Sequence, residues 1–252
     1  MNRMAIAQDT LKILDAGYYD SPMGQRVDIT QDLNACLVQT KYYDPDSLST
    51  LEQNVLSSTT KFSTTEFEVR NETTLIGSKR MAQSQQFHKI GVLNFASAKN
   101  PGGGFIKGAQ AQEESLARSS ALYKSLLKCP EYYEYHRSHK SLLYSDRIIY
   151  SPGCPIFRND DGTLLKIGEV LYSRGAKVLS LAVYQGCDAL VLGAWGCGVF
   201  QNEPSIVAQM FANFLLPNGQ FLGQFKMVLF SVLDSTQQKR IITEFHNRFS
   251  AK

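Results

Sequence analysis

The amino-acid sequence predicts an α/β fold in which a largely parallel or mixed sheet is covered by helices on both faces. Short apolar runs of strand length alternate with helical patterns through the second half of the chain, an order typical of such folds. The chain has 252 residues, 43% hydrophobic and 19% charged, and these fractions are those of a globular protein. Two glycine-rich segments each follow an apolar run and precede a helical pattern.

Composition and charge exclude several classes of protein. With 26 Lys and Arg against 23 Asp and Glu, the formal net charge is only +3, so neither strong nor sequence-specific binding to nucleic acid is expected. No apolar leader is visible near the N-terminus, and the longest nearly apolar run, residues 189–200, is shorter than the roughly 20 residues of a membrane span. The five cysteines are odd in number and lack CxxC spacing, which is typical of reduced thiols. We therefore expect a cytoplasmic protein that crosses no membrane, or a nuclear one if its source is a eukaryote.

The first half of the chain gives the weaker secondary-structure signals. Apolar residues at near-helical spacing predict a helix over residues 9–19. The Ser/Thr-rich stretch 44–65 contains a proline and little periodicity, so it is predicted as loop with short elements. A short strand is expected around Phe67 and Val69, and a helix over residues 78–86.

The second half alternates more clearly between strand and helix. Residues 89–95 form an apolar run of strand length, and the glycines of 101–104 predict a loop. Residues 113–128 are helical in composition, whereas 147–150 predict a strand that the Ser-Pro-Gly of 151–153 ends. The remaining predictions are a turn at 160–162, a helix over 167–184, a buried strand over 189–192, a helix over 203–215, a strand over 225–233 and a closing helix over 236–249.

The two glycine-rich loops, residues 102–104 and 193–198, each follow a predicted strand. Ligands of open α/β sheets bind at the carboxyl ends of strands. Glycine lets backbone amides approach a ligand closely, which suits phosphate oxygens. Neither loop matches GxxxxGK[ST] or GxGxxG. The pattern predicts a phosphate-bearing ligand without naming it.

A carboxylate pair, Glu113 and Glu114, stands at the start of the predicted helix after the first glycine loop. The two acids either complement the positive helix N-terminus or carry acid–base chemistry. Adjacent helical residues diverge by about 100°, so the two carboxylates are expected to have different tasks. The helix dipole lowers a carboxyl pKa, whereas a neighbouring carboxylate raises it, and the sequence leaves the balance open.

The signature around these residues is specific. Gly102-Gly103-Gly104, eight residues and then Glu113-Glu114 resemble the GGG…QEE signature of poly(ADP-ribose) glycohydrolases. Further segments resemble the microbial-type branch of that family, namely residues 92–101, 115–123, 192–200 and 5–11. The resemblance implies a macrodomain-like three-layer α/β/α sandwich with a mixed central sheet and an N-terminal helical extension. It divides the chain into an extension over 1–75 and an ADP-ribose-binding catalytic domain over 76–252.

The resemblance also implies roles for individual residues. Glu114 would be the catalytic acid/base that cleaves ribose–ribose bonds of poly(ADP-ribose) or of an ADP-ribosylated protein and releases ADP-ribose, and Glu113 would orient the scissile sugar. No metal and no cofactor is implied. The ligand-binding residues would be Asn94, Ala96, Ser97, Asn100, Gly102, Gly103, Gly104 and Gln112 around the distal ribose, and Gly193, Ala194, Trp195, Gly196, Cys197, Gly198, Val199 and Phe200 around the pyrophosphate.

One departure from the family pattern gives rise to alternative functions. After Leu165 the chain runs almost directly into the predicted helix 167–184, so a core strand is expected to be missing. The alternatives are a hydrolase of single ADP-ribose units, a non-catalytic ADP-ribose reader whose activity was lost with that strand, and a truncated, poorly folded relative.

Other chemistry-bearing residues are interpreted structurally. His136 and His139 lack the further ligands of a metal site. Cys197 has no local histidine to activate it as a nucleophile. The tyrosines at 132, 133 and 135 are interpreted as helix packing. Trp195 either lines the ligand site or fills the core.

Overall fold

The computed structural model describes residues 2–57, 59–139, 145–165, 171–175, 178–198 and 201–250. The helices and strands follow in chain order as α1 (Arg3–Ala16), β1 (Tyr18–Asp20), β2 (Arg26–Asp28), α2 (Thr30–Gln39), β3 (Lys41–Tyr43), α3 (Pro45–Leu56), β4 (Glu66–Arg70), α4 (Thr74–Gln83), β5 (Ile90–Val92), a 3-10 turn (Phe105–Lys107), α5 (Gln112–Ser119), α6 (Leu122–Leu126), α7 (Pro130–Ser138), β6 (Ile148–Ile156), β7 (Leu171–Gly175), α8 (Val178–Tyr184), β8 (Ala189–Leu192), α9 (Pro204–Leu215), β9 (Met227–Ser231) and α10 (Arg240–Phe249). None of the helices in the described ranges is long and apolar enough to span a membrane.

The chain forms two compact units, each made of two segments. The first unit contains residues 1–48 and 94–176, and the second contains residues 49–93 and 177–252.

The second unit is built on a parallel sheet. Its strands lie in the order β5, β8, β9 and β4, and each neighbouring pair is parallel. All four residues of β8 are buried, as expected for a parallel strand covered on both faces. The predicted strands at Phe67 and Val69, 89–95, 189–192 and 225–233 all occur here, within a few residues of their predicted limits.

Helices cover both faces of this sheet. Leu229 and Phe230 are successive residues of β9, so their side chains point to opposite faces. Leu229 clusters with Met81 of α4, whereas the Phe230 ring packs against aromatic rings of α9 and α10, at centroid distances of 5.5 Å from Phe211 and 4.3 Å from Phe249. The predicted three-layer α/β/α arrangement is therefore present.

The first unit contributes antiparallel strands. β3 and β7 both pair with β6 in antiparallel orientation, while β1 and β2 form a separate hairpin. Together with the parallel strands of the second unit, these pairs make the protein a mixed α/β fold, as predicted.

The prediction of a continuous helix over 167–184 is wrong. The structure has β7 at Leu171–Gly175 followed by α8 at Val178–Tyr184. β7 pairs with β6 from Ser151 to Ile156, and this pairing satisfies backbone groups that a helix would leave open along β6. The expectation of a missing core strand is therefore also wrong, because a strand does follow the turn at 160–162. The junction 166–170, on which that expectation depended, lies outside the described residues.

Three other predicted elements also need correction. The stretch 44–65 contains α3, whose proline at the first position fits a helix start. Strand β6 does not end at 151–153 but continues to Ile156 through a shift of register between Ser151 and Cys154. The helix over 113–128 is divided into α5 and α6, because Ser120 leaves the helix to bridge Ile156.

Candidate active site

The first glycine loop makes a tight turn directly before α5. Gly102 and Gly103 both have left-handed φ values, +68° and +60°, and the Gly103 amide donates to the Asn100 carbonyl at 2.9 Å. Only glycine adopts two consecutive conformations of this kind without strain. The turn brings the backbone of the loop against the first turn of α5.

Phe105 fixes this loop to the core of the first unit. Its side chain is fully buried and clusters with Ala7 of α1 and Ala117 of α5, and its ring lies 4.8 Å from that of Tyr123. A Cβ on Gly102 would lie 3.0 Å from the Phe105 ring. Packing by a buried aromatic ring therefore sets the distance between the glycine loop and α5.

Glu113 is a buried carboxylate held by the segment that precedes the loop. Its side chain is 2% exposed. Oε2 accepts the Ser97 amide at 2.7 Å, and Oε1 accepts Nδ2 of Asn94 at 3.2 Å. Burial raises the pKa of Glu113 to about 7 and the charge of Glu114 adds to this, although both hydrogen bonds act to lower it. Desolvation is therefore the dominant influence, and the helix dipole does not prevent it.

Glu114 lies beside Glu113 but is only half-buried. Its Oε1 accepts the Gly104 amide at 3.0 Å, and no other described residue donates to this carboxylate. A Cβ on Gly103 would collide with the Glu114 carboxylate and would lie 3.3 Å from Oε2 of Glu113. The missing side chain at Gly103 therefore lets both carboxylates lie against the backbone of the loop, and no described residue donates to Oε2 of Glu114.

The segment 94–100 is organised by the same helix. Gln112 accepts the Phe95 amide through Oε1 at 2.8 Å, and the Asn100 amide donates to Oγ of Ser97 at 3.2 Å. Oδ1 of Asn94 is buried and has no hydrogen-bond partner among the described residues. An unpaired buried acceptor is costly, and a ligand hydroxyl that donates to it would remove this cost.

The structure therefore brings together most of the residues predicted for the ribose side of the site. Contacts of α5 with the preceding segment and the glycine loop join Asn94, Ser97, Gly102, Gly103, Gly104, Gln112, Glu113 and Glu114, with Asn100 in the turn between them. Ala96 lies in the same segment, and none of its own contacts indicates a role.

The second glycine loop follows β8 in the second unit. Gly196 has φ +71°, and a Cβ there would collide with the Asn202 side chain, whose Nδ2 donates to the Trp195 carbonyl at 3.3 Å. The Trp195 side chain is 37% exposed and so does not fill the core. The ends of β5 and β8 lie at the same edge of the sheet because these strands are parallel neighbours. Val199 and Phe200, also predicted as ligand-binding residues, lie outside the described residues.

Sequence reasoning missed one residue near the carboxylates, Tyr133 of α7. Its side chain is 1% exposed, and its hydroxyl has no partner among the described residues. Burial raises the pKa of Tyr133, and the charge of Glu113 contributes next. Its ring does pack in the helix, against Tyr132 at 4.9 Å, but its hydroxyl is also electrostatically coupled to Glu113. No sequence signal distinguished it from the neighbouring tyrosines.

The histidine and cysteine side chains that the sequence analysis interprets as structural show no sign of a catalytic or metal-binding role in the described residues. His136 is buried, with Nδ1 2.7 Å from the Tyr132 carbonyl oxygen, and the described residues contain no group of three metal-ligating side chains. Burial raises the pKa of Cys197 to about 11, and Glu203 adds to this, so the thiolate is scarce at neutral pH. The five cysteines, all within the described ranges, are free thiols.

A half-exposed glutamate beside a buried one, in contact with a glycine turn on an α/β fold, is an arrangement suited to the acid–base chemistry of a glycoside hydrolase. Residues 7–159 match the family model described as microbial-type PARG, catalytic domain. The chain belongs to this family of poly(ADP-ribose) glycohydrolases.

Solved structures of bacterial relatives agree with this assignment over nearly the whole chain. The poly(ADP-ribose) glycohydrolase of Thermomonospora curvata is 38% identical, with 98% of this chain and 99% of that chain covered and a TM-score of 0.92. The same enzyme bound to the inhibitor ADP-HPD matches with the same identity and coverage and a TM-score of 0.89. The enzyme of Deinococcus radiodurans in complex with ADP-ribose is 36% identical, with 86% and 96% covered and a TM-score of 0.78. None of the curated proteins compared matches the chain.

Proposed function

We propose that the protein hydrolyses the ribose–ribose O-glycosidic bonds of poly(ADP-ribose) and releases ADP-ribose, with Glu114 as general acid/base. The observation that carries this proposal is the Glu114 carboxylate itself. One oxygen accepts a hydrogen bond from the Gly104 amide, no described residue donates to the other, and the side chain is half-exposed beside a buried glutamate.

The reaction requires two proton transfers at Glu114, one from the side chain and one to it. Protonated Glu114 gives its proton to the glycosidic oxygen as the C–O bond breaks, and the bonding electron pair leaves with that oxygen. The anomeric carbon becomes oxocarbenium-like. The Glu114 carboxylate then removes a proton from the water whose oxygen bonds to the anomeric carbon, so Glu114 ends the cycle protonated, as it began.

Glu113 orients the ribose in this proposal. Its two oxygens are already held by Ser97 and Asn94, so its position is set before the ligand arrives. Such preorganisation avoids the entropic cost of arranging the site during the reaction. Ribose hydroxyls would donate to Glu113 and to Oδ1 of Asn94, which lacks a partner among the described residues.

The second glycine loop, residues 193–200, binds the pyrophosphate in this proposal. Its glycines permit backbone amides to approach phosphate oxygens, and it follows a strand whose carboxyl end shares an edge with that of β5. The negative pyrophosphate would also stabilise the oxocarbenium-like sugar. Phe200 would pack against the ligand.

The wider setting is proposed on the same basis. The catalytic domain over 76–252 is of the macrodomain type, and residues 1–75 form an extension of it. The substrate is poly(ADP-ribose), free or on a modified protein, and the location is the cytoplasm, or the nucleus if the source is a eukaryote. The reader and misfolded alternatives depended on a missing core strand, and β7 removes that reason.

The direct test is release of ADP-ribose from purified poly(ADP-ribose). We expect turnover by the wild type, and loss of at least about a hundredfold in kcat for Glu114→Gln, because general acid–base catalysis contributes about 10²–10⁴-fold. The variant should still bind ADP-ribose, since its amide retains an acceptor for Gly104.

A matched control is Glu134→Gln, which removes the same charge from an exposed position of α7 and should leave kcat unchanged. Wild-type turnover retained by Glu114→Gln would exclude Glu114 as the acid/base. Absence of turnover in the wild type would exclude the function itself.

A further inference from the structure

Arg118 is a buried arginine one helical turn after Glu114. Its side chain is 7% exposed. Nη1 donates to the Ala109 carbonyl at 2.6 Å, and Nη2 donates to Oγ of Ser115 at 3.4 Å. Both terminal nitrogens of the guanidinium thus donate to acceptors of the protein itself.

The carbonyl that Arg118 holds belongs to Ala109, in the short segment between the 3-10 turn after the glycine loop and α5. The Ala109 amide donates to the Gly104 carbonyl at 3.2 Å, and the Gly104 amide in turn donates to Oε1 of Glu114 at 3.0 Å. Three hydrogen bonds therefore connect Arg118 with Glu114 by way of Ala109 and Gly104, and α5 joins the two side chains directly. Ala109 lies after the 3-10 turn, and the guanidinium contact ties its carbonyl to α5.

The backbone of Arg118 is held by a further hydrogen bond. Burial and then the charge of Arg3 lower the pKa of Arg118, while the charges of Glu114 and Asp160 act to raise it. The buried Thr10 of α1 donates through Oγ1 to the Arg118 carbonyl at 2.5 Å. The backbone at Arg118 is therefore fixed by α1 while its side chain fixes the loop.

We propose that Arg118 is a positioning residue for the general acid/base: it holds the Ala109 carbonyl, and so keeps the Gly104 amide against Glu114 in the reactive orientation. The proposal depends on the function proposed above. A guanidinium suits this task because its planar fork reaches two acceptors at once, whereas the ammonium of lysine is a point charge on a flexible stem.

The test is Arg118→Lys, which keeps the charge but loses the fork. We expect kcat on poly(ADP-ribose) to fall about tenfold or more, because small misplacement of a catalytic group costs up to about a hundredfold. KM, and the Kd for ADP-ribose measured by calorimetry, should change less than about twofold, since the residues that hold the ligand are untouched.

Arg158→Lys is the matched control. Arg158 is also a buried arginine, 3% exposed, with Nη1 donating to the Gly162 carbonyl at 2.7 Å and Nη2 paired with Asp9 of α1 at 2.6 Å. Among the described residues, its side chain makes no hydrogen bond or ion pair with the glycine loop or α5. Its lysine variant should lower Tm by an amount similar to that of Arg118→Lys, with kcat within about twofold of the wild type.

The outcomes are distinguishable. A wild-type kcat in Arg118→Lys would overturn the positioning role. So would an equal loss of kcat in Arg118→Lys and Arg158→Lys when both variants lose the same Tm. The kcat of each variant is compared with that of an active wild type. A result that refutes the positioning role therefore does not refute the proposed function.

If Arg118→Lys does not fold, Ser115→Ala frees one end of the guanidinium and favours the helix. We expect a twofold or larger loss of kcat at unchanged KM, and an unchanged kcat would also refute the role.

Discussion

Glu113 shows how one buried side chain couples the site to stability. Burial raises its pKa from 4.5 to about 7, so the folded protein holds this proton more tightly than the unfolded chain. As pH rises from about 4.5 through 7 the unfolded state loses the proton first, and stability falls. At about 1.4 kcal/mol per pKa unit, the full loss is on the order of 3–4 kcal/mol.

This predicts the behaviour of Glu113→Gln, which cannot ionise. The free energy of unfolding of the variant relative to the wild type should increase by on the order of 2 kcal/mol between pH 5 and pH 8. Urea unfolding of both proteins across this range measures it. The exposed Glu134→Gln should show no such trend. Parallel curves for Glu113→Gln and the wild type would mean that Glu113 titrates normally in the fold.

The sequence predicts some residues of the site well and others not at all. The glycine and glutamate signature identifies Glu113 and Glu114 because their spacing is local. The hydrogen bond of Arg118 with Ala109 and the electrostatic effect of Glu113 on Tyr133 depend on how separate elements pack. An arginine and a tyrosine in helices have no spacing that reveals such contacts before the fold is known.

The glycine loop is the element whose conformation the site depends on most. At Gly103 an alanine would adopt a left-handed φ of +60° and its Cβ would collide with the Glu114 carboxylate. We expect Gly103→Ala to lose about 1–2 kcal/mol of stability from the backbone conformation, and in addition at least about a hundredfold in kcat/KM, because Glu114 must move.

Gly153→Ala separates these two effects. Gly153 has a similar φ of +56°, but nothing lies within 4 Å of a Cβ built there. This variant should lose similar stability and keep its kcat/KM. The two measurements are urea unfolding and ADP-ribose release, and equal kcat/KM in both variants would show that the space at Gly103 is not needed.

The elements that the sequence predicted well are those with local, regular signals. β8 is a continuous apolar run and α9 begins at a proline, and both elements lie nearly at their predicted limits. α3 was missed although Leu48, Leu51 and Val55 are buried at near-helical spacing. β7 was missed for a different reason: the pairing offered by β6 decides its conformation, and such long-range pairing overrides local preference.

For the molecule as a whole, the sequence predicted the fold class and the layering more securely than the junctions. Strands that alternate with helices allow few arrangements other than a sheet covered on both faces. Leu229 and Phe230 pack against helices on the two opposite faces of this sheet. The expected absence of a strand arose from counting residues after Leu165. Chain length between landmarks does not determine pairing, because a strand of Leu171–Gly175 needs only five residues.

The single tryptophan of the chain, Trp195, makes the second glycine loop observable in the intact protein. It is partly exposed, so its emission responds to a ligand that excludes water from its ring. We expect titration with ADP-ribose to change the emission saturably, with the same Kd as calorimetry, in the wild type and in Glu114→Gln alike. Trp195→Phe should abolish the signal while ADP-ribose still raises Tm, because ligand binding to the folded state stabilises it by RT ln(1 + [L]/Kd). A rise in Tm without any change in Trp195 emission would place the ligand away from this loop and would contradict its assignment to the pyrophosphate.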